Sequence, residues 1–188
     1  MSIRESTKYA FANVLKQLLT TKDLQKIRVT ELCERYGAEC PTFYYHFRDK
    51  YDLIAWSYTK DFEQSVKDNG GIYNQRRTTL QMYRMLEQKA FYRKVFAEQT
   101  QNALSNYIIQ YNRQSTEYLV KKRLNTDALS KEMRFSIQFY VRAWVSSMVE
   151  WIMEPENLSA EDFVALVYAD LPSYMTDTYV DELPLGSQ

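Results

Sequence analysis

Residues 37–53, GAECPTFYYHFRDKYDL, confine a turn, a short helix and the start of a further helix to one stretch of chain. Gly37 suits the left-handed conformation that ends a helix. Pro41 fits the first turn of the next helix, where its missing N–H costs nothing. Asp49 is a good N-cap for the helix after that, with Asp52 three residues on. The short helix, about Cys40–Phe47, places Phe43 and Phe47 four residues apart and therefore on one face. That face anchors it in a core. Thr42, Tyr45 and His46 project elsewhere, and such a side chain set makes a poor core but a plausible probe.

Helical periodicity runs through the rest of the chain. Ala10, Phe11, Val14, Leu15, Leu18 and Leu19 form one stripe of a helix over about Arg4–Leu19. Leu24, Ile27 and Val29 make an apolar connector, and a second helix from Val29-Thr30 carries Leu32 and Cys33 inward and stops at Gly37. The helix capped by Asp49 runs to about Asp68, before Asn69-Gly70-Gly71. Further helices read at about Asn74–Glu87, Gln88–Glu98, Gln101–Leu124, Ser130–Met153 and Ser159–Met175. The last opens with a capping-box-like Ser159-Ala-Glu-Asp162, after a turn at Glu154-Pro155-Glu156-Asn157. Four Gly and four Pro in 188 residues suit long helices, not a loop-rich sandwich. The expected fold is all-α, about nine helices and no strand. Residues 1–50 form a helix-turn-helix domain, a helix at about 49–68 connects, 69–178 form a C-terminal domain and 179–188 a flexible tail.

Composition narrows the function. No apolar run approaches the length of a membrane span, and the N-terminus lacks the apolar core of a signal peptide. Cys33 and Cys40 make no disulfide framework, so a reducing cytoplasm is the expected compartment. His46 is the single His, so neither a His-based metal site nor a catalytic relay finds its parts. No phosphate-cradling Gly loop or nucleophile elbow is present. No enzyme activity and no cofactor are expected. The net charge of zero hides a split: residues 1–60 carry ten Lys/Arg against seven Asp/Glu, and residues 130–188 three against ten. The front end tolerates polyanions and the tail does not.

The two helices around Gly37 have the size of a helix-turn-helix, whose second helix enters the major groove with its N-terminal residues facing base edges. Those residues are Cys40, Pro41, Thr42, Tyr44 and Tyr45. Thr42 can bond a base or touch a thymine methyl, while Tyr hydroxyls and His46 can reach phosphates. A Lys in a first helical turn opposes the helix dipole, and a phosphate docked there reverses the sign. Lys50 is therefore expected on a phosphate or, failing that, in solvent. Cys40 stands at a helix start, and no resolving thiol is expected for it because Cys33 points inward.

Residues 8–60 resemble the TetR family of bacterial regulators. The matching words are Lys26-Ile-Arg-Val-Thr-Glu-Leu-Cys33, Gly37, Thr42-Phe-Tyr-Tyr-His-Phe47 and Lys50-Tyr-Asp-Leu53. The C-terminal half more weakly resembles the branch common in Firmicutes, through Gln101-Asn102-Ala-Leu, Gln138-Phe-Tyr140 and Glu150-Trp151. The resemblance implies an N-terminal DNA-binding unit, a homodimer joined through the last two long helices, and often a ligand cavity in the C-terminal domain. It puts Thr30 on a phosphate and Thr42, Tyr44, His46 and Lys50 on DNA. It puts Phe135, Phe139, Met148, Trp151, Phe163, Leu166 and Val167 at the dimer seam. The chain departs from the family at Glu39 and Cys40, where a Ser cap and a base-reading residue such as Arg are usual. It departs again at Val141-Arg-Ala-Trp144, bulkier than the Gly-rich middle of the branch's penultimate helix.

Tyr83, Phe96, Tyr107, Tyr111, Tyr140 and Trp144 are candidates for an effector pocket, although aromatics at helical spacing also make ordinary core. The resulting expectation is a homodimeric regulator that binds a near-palindromic operator in double-stranded DNA. A small-molecule effector or partner protein would control it by changing the angle between its DNA-binding units, through Asn69-Gly70-Gly71 and the connecting helix. The alternative keeps the fold but acts as a co-regulator through protein contacts, Glu39 and Cys40 marking a loss of direct DNA binding.

Overall fold

The computed structural model describes residues 2–98, 100, 103–154 and 158–176, with the backbone of 178–179. The tail expected beyond that point, residues 155–157 of the expected turn and the Gln101-Asn102 pair lie outside the described residues. The protein is all-α. Its helices are α1 (Ile3–Leu19), α2 (Val29–Tyr36), α3 (Cys40–His46), α4 (Lys50–Asp68), α5 (Gln75–Glu87), α6 (Lys89–Phe96), α7 (Leu104–Leu124), α8 (Lys131–Met153) and α9 (Ala160–Ala169). One difference from expectation is a two-residue antiparallel ladder, β1 (Ile72–Tyr73) with β2 (Thr178–Tyr179), Ile72 opposite Tyr179. Two residues per strand carry no alternation for a pattern to detect. The last expected helix is also shorter. It stops at Ala169, and Ser173–Met175 forms a separate 3-10 turn after Pro172, which has no N–H to continue a helix.

Two compact units form, neither continuous in sequence: Met1–Lys60 with Gln88–Leu104, and Asp61–Glu87 with Ser105–Gln188. The division falls inside α4, and the Asn69-Gly70-Gly71 turn lies within the second unit.

In the first unit, α3 has seven residues, too few for an isolated helix to persist in water. Packing holds it. Phe43 is fully buried and Phe47 nearly so, each worth roughly 1.5–3 kcal/mol by burial. Phe43 meets Phe11 of α1 edge-to-face at 5.1 Å and Phe47 at 5.6 Å. The turn before α3 is closed by Gly37 at φ 78°, with the Gly37 and Ala38 N–H groups donating to the Cys33 carbonyl at 2.9 and 3.0 Å. The Asp49 carboxylate accepts from the N–H groups of Tyr51 and Asp52 at 2.8 and 2.9 Å. Asp52 in turn accepts from the Arg48 N–H at 3.0 Å, a reciprocal cap that starts α4 sharply. α6 completes this unit with buried Phe91, Tyr92, Val95 and Phe96, and Lys94 pairs with Asp23 at 2.8 Å.

In the second unit, α5 packs on α9. Val120, Leu129, Ile137, Val141 and Met175 form a core cluster. Phe163 of α9 is stacked by Trp151 at 5.1 Å and Trp144 at 5.6 Å. The turn after α4 uses Gly70 and Gly71 at φ 66° and 80°, and the Asn69 side chain braces it by donating to the Ile72 carbonyl and to Asn74 Oδ1.

Candidate nucleic-acid interface

With Phe43 and Phe47 turned inward, the opposite side of α3 stands open. Pro41 and Thr42 are exposed, Tyr44 is 57% and Tyr45 69% exposed, and Cys40 is half-buried. Two neighbouring tyrosines this bare on one short helix are an apolar surface with a polar tip at each ring, the kind of side chain that seeks a partner. Thr30 is exposed in the first turn of α2, beside exposed Arg28. Glu39 precedes α3 without any side-chain bond to it, so the N–H groups at the start of α3 gain no cap from that carboxylate.

Arg4 and Lys8, which the sequence pattern passes over, border this face. The Arg4 guanidinium lies 5.5 Å from the centroid of the Tyr45 ring, and the Lys8 ammonium 5.3 Å from that of Phe47 and 5.7 Å from that of Trp56. Their signal was available: the two cations are one turn apart on α1 and share a face. Burial, then Lys8 and Arg4, hold the His46 pKa below its ordinary value of 6.5. The ring is therefore neutral at pH 7, and its Nδ1 is buried without a partner. His46 is half-buried and offers at most an uncharged hydrogen bond.

Lys50 is not placed as expected. Its ammonium donates to the carbonyls of Leu24 at 2.6 Å, Ile27 at 2.8 Å and Gln25 at 3.2 Å. All three N–H donors of the group are thus committed. A helical side chain leans toward its own N-terminus, and here it meets the exit of the 3-10 turn Leu24–Lys26, where unpaired carbonyls attract a cation. Lys50 clamps the connector before α2, where a phosphate or solvent contact was expected.

Cys33 also differs. It is buried as expected, but Cys40 lies near enough across the turn to act on its thiol, so Cys40 has a sulfur neighbour. Burial first, then Cys40, push the Cys33 thiol up to about 11.

The residues expected at a dimer seam divide. Phe135 is 70%, Phe139 58% and Leu166 61% exposed, and the two phenylalanines stack at 6.4 Å. Met148, Trp151 and Phe163 are buried within their own unit, which removes them from any seam. Val167 lines a cleft instead, one with a cavity volume of about 50 Å³ and open to solvent on one side. Of the expected pocket residues only Tyr140 and Trp144 line this cleft. Tyr83 is exposed and donates its hydroxyl to Glu161, Phe96 stacks on Tyr92 in the first unit, and Tyr107 stacks on buried Tyr111. Helical spacing alone does not separate packed aromatics from cleft walls. Among the described residues no helix is long and apolar enough to cross a membrane.

A family described as the transcriptional regulator C-terminal region, of the TetR type, matches residues 77–169. The chain belongs to the TetR family. Over 91 residues this TetR-family chain is 28% identical to the HTH-type dhaKLM operon transcriptional activator DhaS of Lactococcus lactis subsp. lactis, a stretch covering 48% of the chain and 49% of that activator. It thus spans about half the length of that relative. Two solved structures share the fold. The dihydroxyacetone kinase operon activator DhaS aligns at a TM-score of 0.59 and 19% identity, covering 87% of this chain and 92% of its own. A TetR-family transcriptional regulator from Streptomyces coelicolor aligns at 0.51 and 15%, covering 90% and 80%.

Proposed function

We propose that this TetR-family chain is a homodimeric DNA-binding regulator whose α3 reads one half of a near-palindromic operator. The observation that carries the reading is the division of α3: Phe43 and Phe47 sealed inward, Thr42, Tyr44 and Tyr45 bare outward. Thr42 would meet base edges. Tyr44, Tyr45, Thr30 and Arg4 would fix register on phosphates, contacts that position without reading sequence. Cys40 and Pro41 would lie against the groove wall. Lys50 would act one step back, holding the connector that sets α2 under α3. Phe135, Phe139 and Leu166 support pairing through α8 and α9, where exposed Ala143, Ser146, Ala165 and Ala169 allow close approach of helices. Two recognition helices would then enter major grooves about 34–36 Å apart, or a similar whole-turn spacing. An effector in the second unit would act through α4, which contributes residues to both units.

The test is a titration of duplex DNA from the chain's own upstream region, by fluorescence anisotropy at several salt concentrations. Binding that weakens steeply with salt is expected, because each phosphate contact releases counterions. Absence of binding even at low salt would favour the co-regulator reading, in which exposed Glu39 repels the duplex and the tyrosines of α3 face a protein.

A further inference from the structure

Arg77, near the start of α5, is 3% exposed, and its guanidinium lies against a pair of adjoining rings, 4.5 Å from the centroid of Phe62 and 4.4 Å from that of Tyr73. Nη1 donates to Gln81 Oε1 at 3.3 Å and Nη2 to Thr78 Oγ1 at 2.9 Å. The Tyr168 hydroxyl lies 2.8 Å from the same Thr78 oxygen, and Thr78 donates onward to the Asn74 carbonyl at 3.2 Å. The hydroxyl protons therefore run Tyr168 to Thr78 to Asn74, leaving lone pairs for the guanidinium. Burial, first of several causes, pushes the Tyr168 phenol up to about 12, so it stays a neutral hydroxyl at any ordinary pH. Every partner of Arg77 is thus uncharged. Among the described residues no carboxylate pairs with it, and its Nε is buried with no acceptor at all.

A buried cation without an anion is unfavourable. The two adjoining rings and two neutral acceptors offset part of that cost, but they leave the charge and the Nε–H open. Arg77 also lines the cleft, together with apolar Val141, Trp144, Val167, Leu171 and Met175. Asn112, 5% exposed, lines it too, with an amide oxygen that has no partner. Its side-chain amide can turn to present N–H to an acceptor. A cation and a largely apolar lining in one cleft match an amphipathic anion.

We infer that the cleft of the second unit binds a small monocarboxylate with an apolar or aromatic body, its carboxylate on Arg77 and its body against Trp144, Val141 and Leu171. This deepens the effector part of the proposed function and is tested without DNA, so loss of operator binding would not count against it, nor its own failure against operator reading.

The purified full-length chain is titrated with benzoate, phenylacetate and hexanoate, with benzamide and inorganic phosphate as comparisons. Binding is read by calorimetry and by tryptophan fluorescence. Saturable binding of at least one carboxylate is expected, with a tryptophan signal and at least tenfold weaker binding of benzamide. Arg77→Gln is expected to abolish the preference for carboxylate over amide, and Arg77→Lys to restore part of it. Should Arg77→Gln fail to fold by circular dichroism, Val167→Trp, which fills the cleft without touching Arg77, is expected to abolish binding in a folded chain. No carboxylate binding at millimolar concentration, equal binding of benzoate and benzamide, binding of phosphate alone, or binding unaltered in folded Arg77→Gln or Val167→Trp would each overturn the assignment.

Discussion

The guanidinium of Arg4 sits over the ring of Tyr45, 5.5 Å from its centroid, so the first turn of α1 adds a cation to the exposed side of α3. In the proposed complex this cation faces a phosphate. Arg4→Gln is expected to weaken binding to all duplexes alike and to lower the slope of log affinity against log salt by about one. Tyr45→Phe, which keeps the ring and removes the hydroxyl, is expected to leave that slope unchanged. Anisotropy titrations at four salt concentrations measure both, and an unchanged slope in Arg4→Gln would remove Arg4 from the interface.

Lys50 closes three carbonyls of the connector between α1 and α2. Truncation leaves those acceptors to water or to nothing. Lys50→Met is expected to destabilise the protein by about 1–3 kcal/mol, read by urea unfolding, and to lower DNA affinity only in step with that loss. A variant of wild-type stability that binds DNA poorly would instead return Lys50 to the phosphates.

The Cys33 thiol is buried and raised from its ordinary 9.0 to about 11. A raised acid binds its proton more tightly in the folded chain, so its contribution to stability is fully present below pH 9 and is lost as pH rises toward 11. The unfolding free energy is expected to fall over that window, with a slope of at most about 1.4 kcal/mol per pH unit from this group. Cys33→Ala is expected to flatten that part of the curve. At pH 8, iodoacetamide is expected to label half-buried Cys40 well before Cys33, checked by peptide mass spectrometry.

Phe135 and Phe139 stack on one another in the open. A charge on each would have to be desolvated in any seam through α8. The double variant Phe135→Asp with Phe139→Asp is expected to sediment as a monomer with wild-type helix content, and to lose tight operator binding because the two half-sites are no longer held together. A dimer that survives both charges would place the seam elsewhere.

Most helix boundaries were legible because each is set by local chemistry: Gly37 at φ 78°, Pro41 in a first turn, the Asp49 carboxylate on two N–H groups. The inward turn of Phe43 and Phe47 followed from their spacing on one helix. What spacing could not supply was the direction of long side chains and the meeting of distant segments. Lys50 reaches residues more than twenty positions earlier, and Arg4 meets Tyr45 only once α1 and α3 have packed. The same limit applies to the aromatics of the second unit. Trp151 and Phe163 turn toward each other, while Phe135 turns away from the core of its own unit. The exposure of the α3 tyrosines was legible because a short helix rich in polar tips has no use inside a core. The burial of Arg77 was not legible, since nothing in its neighbours along the chain announces it.

The most direct test of the central claim, that the bare side of α3 reads duplex DNA on a paired scaffold, is selection of binding sites by the full-length chain from a randomised double-stranded library, run in parallel with Thr42→Ala. The wild-type protein is expected to enrich a near-palindromic sequence with half-sites about one helical turn apart. Thr42→Ala is expected to relax the preference at one symmetric base position, worth about 1–3 kcal/mol of discrimination, and leave the others intact. No enriched sequence at low salt, or an identical sequence from both proteins, would contradict the account.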